Sequence, residues 1–68
     1  MNDQIGLVAG QIYQHLKNNG PSSSLELKLS LNRSASELFL ALGWLCREGK
    51  IQILPDHETY KIQFREVG

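Results

Sequence analysis

Side chains able to do covalent or metal chemistry are few in this sequence, and they are spread along it rather than grouped. Cys46 is the single cysteine, and His15 and His57 are the two histidines. One thiol closes no intramolecular disulfide and supplies no multi-thiolate zinc site. Cys46 reads as a small buried hydrophobe on the core side of a helix. His15 falls on a helix flank and His57 in a polar loop between Asp56 and Glu58, in structural or solvated roles. Ser23, Ser24 and Ser34 have no base spaced to activate them. The carboxylates of Glu26, Glu37, Glu48, Asp56, Glu58 and Glu66 are scattered instead of paired for acid–base work. Gly20-Pro21-Ser22-Ser23-Ser24 lacks the glycine and lysine spacing of a nucleotide-phosphate loop. The expectation is a non-enzymatic protein with no catalytic residue, no metal site and no cofactor.

Composition narrows the class further. The chain has 68 residues, 41% of them hydrophobic, which suits one small domain over residues 1–68. Seven basic residues balance seven acidic ones, for a formal net charge of zero. A free-standing basic nucleic-acid binder clusters a surplus of Lys and Arg, so the balance argues against that form of binding. The N-terminus lacks the cationic and apolar runs of a leader, and no stretch approaches the ~20 apolar residues of a membrane span. A soluble cytoplasmic domain with no membrane partner is expected.

Periodicity divides the chain into five elements. Asn2 or Asp3 caps a first helix that runs to Asn19, with Ile5, Val8, Ala9, Ile12 and Leu16 on one side. Asn19-Gly20-Pro21 ends it. Gly6 and Gly10 clear a smooth strip on this helix, which is expected to sit in a tight helix–helix contact. A second helix begins in Ser22-Ser23-Ser24, with Ser23 and Glu26 as a capping box and Leu25, Leu29 and Leu31 as its buried line. Leu27 alternates with these, so a strand over the same stretch competes. The capping signal and the absence of β-branched residues favour the helix. Ser34 and Glu37 form another capping box and open a third helix to about Glu48, closed by Gly49. Its predicted inner face holds Ala35, Leu38, Leu42, Leu45 and Cys46. Beyond Gly49 the period becomes two. Ile51 and Ile53, then Tyr60, Ile62 and Phe64, alternate with polar residues on either side of a Pro55-Asp56-His57-Glu58 loop. The predicted core comprises Ile5, Val8, Ile12, Leu16, Leu25, Leu29, Leu38, Leu42, Leu45, Ile51, Ile53, Ile62 and Phe64.

Three helices, the last two joined by a very short turn, followed by a two-stranded ribbon, resemble the winged helix-turn-helix domain. The segment Ala41-Leu42-Gly43-Trp44-Leu45-Cys46-Arg47-Glu48-Gly49-Lys50-Ile51 is similar to the A-L-x-x-L-x-R-E-G-K-I ending that joins the recognition helix to the wing in many members. Gly43-Trp44-Leu45 within it resembles a small bacterial and archaeal winged-helix family of unassigned function. The resemblance spans nearly the whole chain. It implies an α+β fold, a three-helix bundle with a C-terminal two-stranded β-hairpin wing. It further implies a DNA-binding module of transcription-regulator type, with the third helix in the major groove of double-stranded DNA. On that footing Asn32, Arg33, Ser34, Ser36 and Arg47 are the expected DNA contacts, with Lys61 and Arg65 supporting from the wing.

The same face also carries residues that oppose phosphate. Glu37 lies on the third helix, and Asp56 and Glu58 lie at the wing tip. Leu40 and Trp44, four residues apart, form an apolar pair where a DNA reader is normally polar. They support an alternative, a protein–protein interaction or homodimerisation module that kept the fold and lost DNA binding. Leu40 and Trp44 are its expected anchors, with Phe39 at the margin and Leu7 on the first helix. Trp44 folded back over the wing strands would remove this patch.

Overall fold

In the computed structural model, residues 3–65 are described, so the Asn2 cap and Glu66 lie outside the described residues. Helix α1 (Asp3–Asn19) stops where Gly20 takes φ +78° and its N–H donates to the Leu16 carbonyl at 2.8 Å. Only a residue free of a Cβ adopts that left-handed stop at no cost. The chain then forms a strand that the sequence did not signal, β1 (Ser22–Ser23), ahead of α2 (Ser24–Leu31), α3 (Ala35–Arg47), β2 (Ile51–Asp56) and β3 (Thr59–Phe64). Ser22 and Ser23 pair antiparallel with Ile62 and Lys61, giving a sheet of order β1-β3-β2. The expected two-stranded wing is thus the larger part of a three-stranded antiparallel sheet, and the fold remains α+β. Its hairpin is also tighter than expected. Pairing continues to Asp56 and Thr59, which leaves His57 and Glu58 as the turn, His57 at φ +58°.

Both predicted helix starts are capped, but only one as a box. Ser34 Oγ accepts the Glu37 N–H at 3.1 Å, and the Glu37 carboxylate accepts the Ser34 N–H at 3.2 Å. Ser23 Oγ likewise accepts the Glu26 N–H at 2.9 Å. The Glu26 carboxylate turns elsewhere, accepting from His15 Nε2 at 3.0 Å and so tying α2 to α1.

The core gathers Val8, Ala9, Ile12 and Leu16 of α1, Leu27 of α2, and Leu38, Ala41, Leu42 and Leu45 of α3 against Ile51 and Ile62 of the sheet. Ile5, Leu31, Ile53 and Phe64 pack at its edge. Three expectations are corrected here. Leu25 and Leu29 are 56% and 68% exposed, whereas Leu27 is fully buried. Ser24 explains the rotation. Its hydroxyl pairs with Thr59 Oγ1 at 2.7 Å and accepts the Tyr60 N–H at 3.3 Å, which turns the start of α2 toward the sheet. Leu27, three residues on, shares that side. Cys46 and Ala35 are exposed rather than buried, because the inner arc of α3 is centred on the Ala41 side, facing α1. Gly6 and Gly10 make no tight contact: no atom lies within 4 Å of where a Cβ would stand on either.

Candidate nucleic-acid interface

Helix α3 is the second member of the helix-turn-helix, and its burial pattern decides what it offers outward. With Leu38, Ala41, Leu42 and Leu45 inside, about 100° per residue places Ser36, Gly43 and Arg47 along the outer crest, all exposed, with Leu40 beside them. Phe39 and Cys46 occupy the flank toward the wing, where the Phe39 ring meets Tyr60 edge-on at 6.2 Å. Trp44 and Glu37 occupy the flank toward α1.

The turn into α3 is built from Asn32 and Arg33. Asn32 takes φ +53°, a left-handed conformation that asparagine tolerates, and its side chain stands exposed. Arg33 turns inward. Its Nε donates to Gln11 Oε1 at 3.1 Å, and its Nη1 lies 3.6 Å from Glu37 Oε2. Ser34 is engaged in the capping box. Its backbone N–H, then its hydroxyl, then the Arg33 charge hold the Glu37 carboxyl below the ordinary carboxylate range. A carboxylate of the chain itself therefore fills the N-terminus of α3.

On the wing, Lys61 is exposed on the outer face of β3, paired with Leu54 of β2 on one side and Ser23 of β1 on the other. The Arg65 N–H donates to the Lys50 carbonyl at 3.0 Å, and its Nη1 would lie 3.7 Å from a Cβ on Gly49. Arg65 therefore lies over the turn that follows Arg47, in the company of Lys50. The wing tip is of the opposite sign, with Asp56 and Glu58 exposed on either side of His57.

Of the seven residues expected on DNA, then, Arg33 and Ser34 are joined through Glu37 in the scaffold. Asn32, Ser36 and Arg47 stand free along α3 and its entrance, and Lys61 and Arg65 stand on the sheet. Gln11 and His15, which hold Arg33 and Glu26, carried no signal in the sequence, since their partners lie far along the chain. Leu40 and Trp44 are 60% and 42% exposed. The indole does not fold over the wing. It borders a shallow groove with Gly6, Gly10 and Tyr13 of α1.

Among the described residues no cluster of three His, Cys, Asp or Glu could hold a metal ion, and no helix is long and apolar enough to cross a membrane.

Two helices joined by a tight turn, with the second followed by an antiparallel hairpin, define a winged helix-turn-helix protein. More narrowly, the chain belongs to the winged helix-turn-helix domain family DUF2582, whose model matches residues 1–64. It is 34% identical over 65 residues to the uncharacterised protein MJ1608 of Methanocaldococcus jannaschii, covering 91% of each chain. It is also similar to the solution NMR structure of protein BT2368 from Bacteroides thetaiotaomicron. The TM-score there is 0.77 at 31% identity, covering 90% of this chain and 74% of that one. The resemblance carried by Ala41 to Ile51 thus holds for the fold and the family.

Proposed function

We propose that residues 1–68 form one regulatory winged-helix module that binds double-stranded DNA through the crest of α3 and catalyses no reaction of its own. The observation that carries this reading is the free crest itself, with Ser36, Gly43 and Arg47 uncovered on the helix that a helix-turn-helix lays in the major groove. Nothing lies within 4 Å of a Cβ position on Gly43, so the helix can seat deeply there. Arg47 offers a bidentate fork to guanine or phosphate, Ser36 and Asn32 offer hydrogen bonds to base edges, and Lys61 and Arg65 offer charge to the backbone. Arg33 and Ser34 act as positioning residues that fix the start of α3. A role on DNA fits the cytoplasmic compartment.

The acidic wing tip and the balanced net charge make the binding weak for one copy and sensitive to salt. Fluorescence anisotropy with a labelled random duplex tests it. With Arg47, Lys61 and Arg65 on phosphate, log affinity should fall against log salt with a slope of about −3. Arg47→Ala should weaken binding and reduce the slope by about one. No association at low ionic strength would contradict the reading. The exposure of Leu40 and Trp44 favours a second surface, on the α1 flank.

A further inference from the structure

Helices α2 and α3 and the wing turn border one groove of about 810 Å³, within the size range of small-ligand sites. Leu38 lies at its floor. Leu25, Phe39 and Tyr60, each 43–56% exposed, all line this same recess. Three large side chains thus keep apolar surface in water around a single hollow, and a ligand seated there would cover all three.

Most polar groups on the rim are already engaged. The Ser24 and Thr59 hydroxyls pair with each other at 2.7 Å, and Ser24 Oγ also accepts the Tyr60 N–H. His57 Nε2 lies 3.9 Å from Asp56 Oδ1. Lys28 of α2 and Glu58 of the wing turn are the exceptions. They are opposite charges lining the same groove, yet among the described residues neither forms an ion pair, with the other or with any third group.

We propose that this groove binds a free α-amino acid with an apolar or aromatic side chain. Its carboxylate meets the Lys28 ammonium, its ammonium meets the Glu58 carboxylate, and its side chain covers Leu25, Phe39 and Tyr60. Charge complementarity selects the class. An apolar acid would set its anion in the groove with Glu58, and an apolar amine would set its cation there with Lys28. A zwitterion satisfies both ends, each through a charge-assisted hydrogen bond. The inside of a peptide carries neither main-chain charge, and each end of a long peptide carries only one. Two water-exposed ion pairs hold little by themselves, so the apolar recess supplies the remainder of the affinity. The bound molecule spans from α2 to the wing turn and ties the wing to the helix-turn-helix. The groove lies on the wing flank of α3, off the crest, and the proposal stands whether or not the crest binds DNA.

NMR titration of the full chain without DNA, at neutral pH, tests the proposal with L-phenylalanine and L-leucine as probes. Both should bind saturably, with dissociation constants of about 1 mM or below and shifts at the amides of Leu25, Lys28, Phe39, Glu58 and Tyr60. Glycine, which has both charges and no side chain, should not bind. Phenethylamine lacks the carboxylate and 3-phenylpropionate lacks the ammonium, so each should bind at least about tenfold more weakly than L-phenylalanine. Lys28→Met should weaken L-phenylalanine to the level of phenethylamine and leave phenethylamine no weaker. Glu58→Gln should do the same toward 3-phenylpropionate. Both side chains lie outside the core, so circular dichroism should be unchanged. No saturable binding of either amino acid at millimolar concentration would overturn the proposal. So would an analogue or glycine that binds as well as L-phenylalanine, or binding indifferent to either substitution.

Discussion

Arg33 Nε donates to Gln11 Oε1 at 3.1 Å, so the turn between α2 and α3 is tied to the middle of α1. A guanidinium that the family resemblance would assign to DNA thus helps to set the seat of α3. Its removal should cost about 1 kcal/mol, the usual worth of a partly shielded hydrogen bond to a charged group. Thermal denaturation of Arg33→Ala should therefore show a midpoint lowered by roughly 4–8 °C. The salt slope for DNA should stay at the wild-type value, in contrast to Arg47→Ala. A stable Arg33→Ala variant with a reduced slope would return this residue to the DNA surface.

The rotation of α2 makes a sharper claim, since Leu27 and Leu29 are chemically identical. Leu27 is fully buried and Leu29 is 68% exposed. Leu27→Ala should cost about 2–5 kcal/mol, while Leu29→Ala should fall within about 0.5 kcal/mol of the wild type. Urea denaturation of the two variants decides it. Equal losses would mean that the helix sits in another register.

These residues also mark where the sequence was legible. Ser34 and Glu37 announced the start of α3 because a capping box is a local contact, complete within four residues. The alternation of Ile51 and Ile53, and of Ile62 and Phe64, announced the hairpin because the inner face of a sheet selects every second residue. The buried side of α2 was misread because leucines at 25 and 29 lie on one side of the helix and those at 27 and 31 on the opposite side. What orients the helix is the hydrogen bond between the Ser24 and Thr59 hydroxyls, 35 residues apart. Strand β1 left no trace, since two serines joined through backbone pairing need no apolar pattern. For the candidate site, the exposure of Leu40, Trp44 and Arg47 followed from helical spacing. The inward turn of Arg33 did not, because its partner Gln11 belongs to another helix.

Gly49 closes α3 at φ +74°, a conformation that costs a side-chain-bearing residue about 1–2 kcal/mol. A Cβ there would meet only Arg65 Nη1, at an ordinary 3.7 Å, so the cost of Gly49→Ala is conformational rather than steric. The variant should lose about that much stability by chemical denaturation. An unchanged midpoint would show that the turn relaxes into another conformation.

Glu37 links stability to pH. Its carboxyl lies below the ordinary range in the fold, chiefly through the Ser34 N–H, then the Ser34 hydroxyl and the Arg33 charge. A lowered value means that the folded state favours the ionised form. Its contribution is therefore full above the ordinary carboxylate range and is lost as pH falls through the lowered value. Glu37→Gln keeps a capping amide but removes the charge. The urea midpoints of wild type and variant should differ at neutral pH and converge in acid. A gap that holds at every pH would mean that the charge contributes nothing.

The central claim, that the crest of α3 is the nucleic-acid surface, is most directly tested by NMR titration of the isotopically labelled domain with a short duplex at low salt. The backbone amides of Asn32, Ser36, Gly43 and Arg47 should shift together and saturate, with smaller changes at Lys61 and Arg65. Shifts confined to Leu25, Phe39 and Tyr60, or no shifts at all, would contradict it.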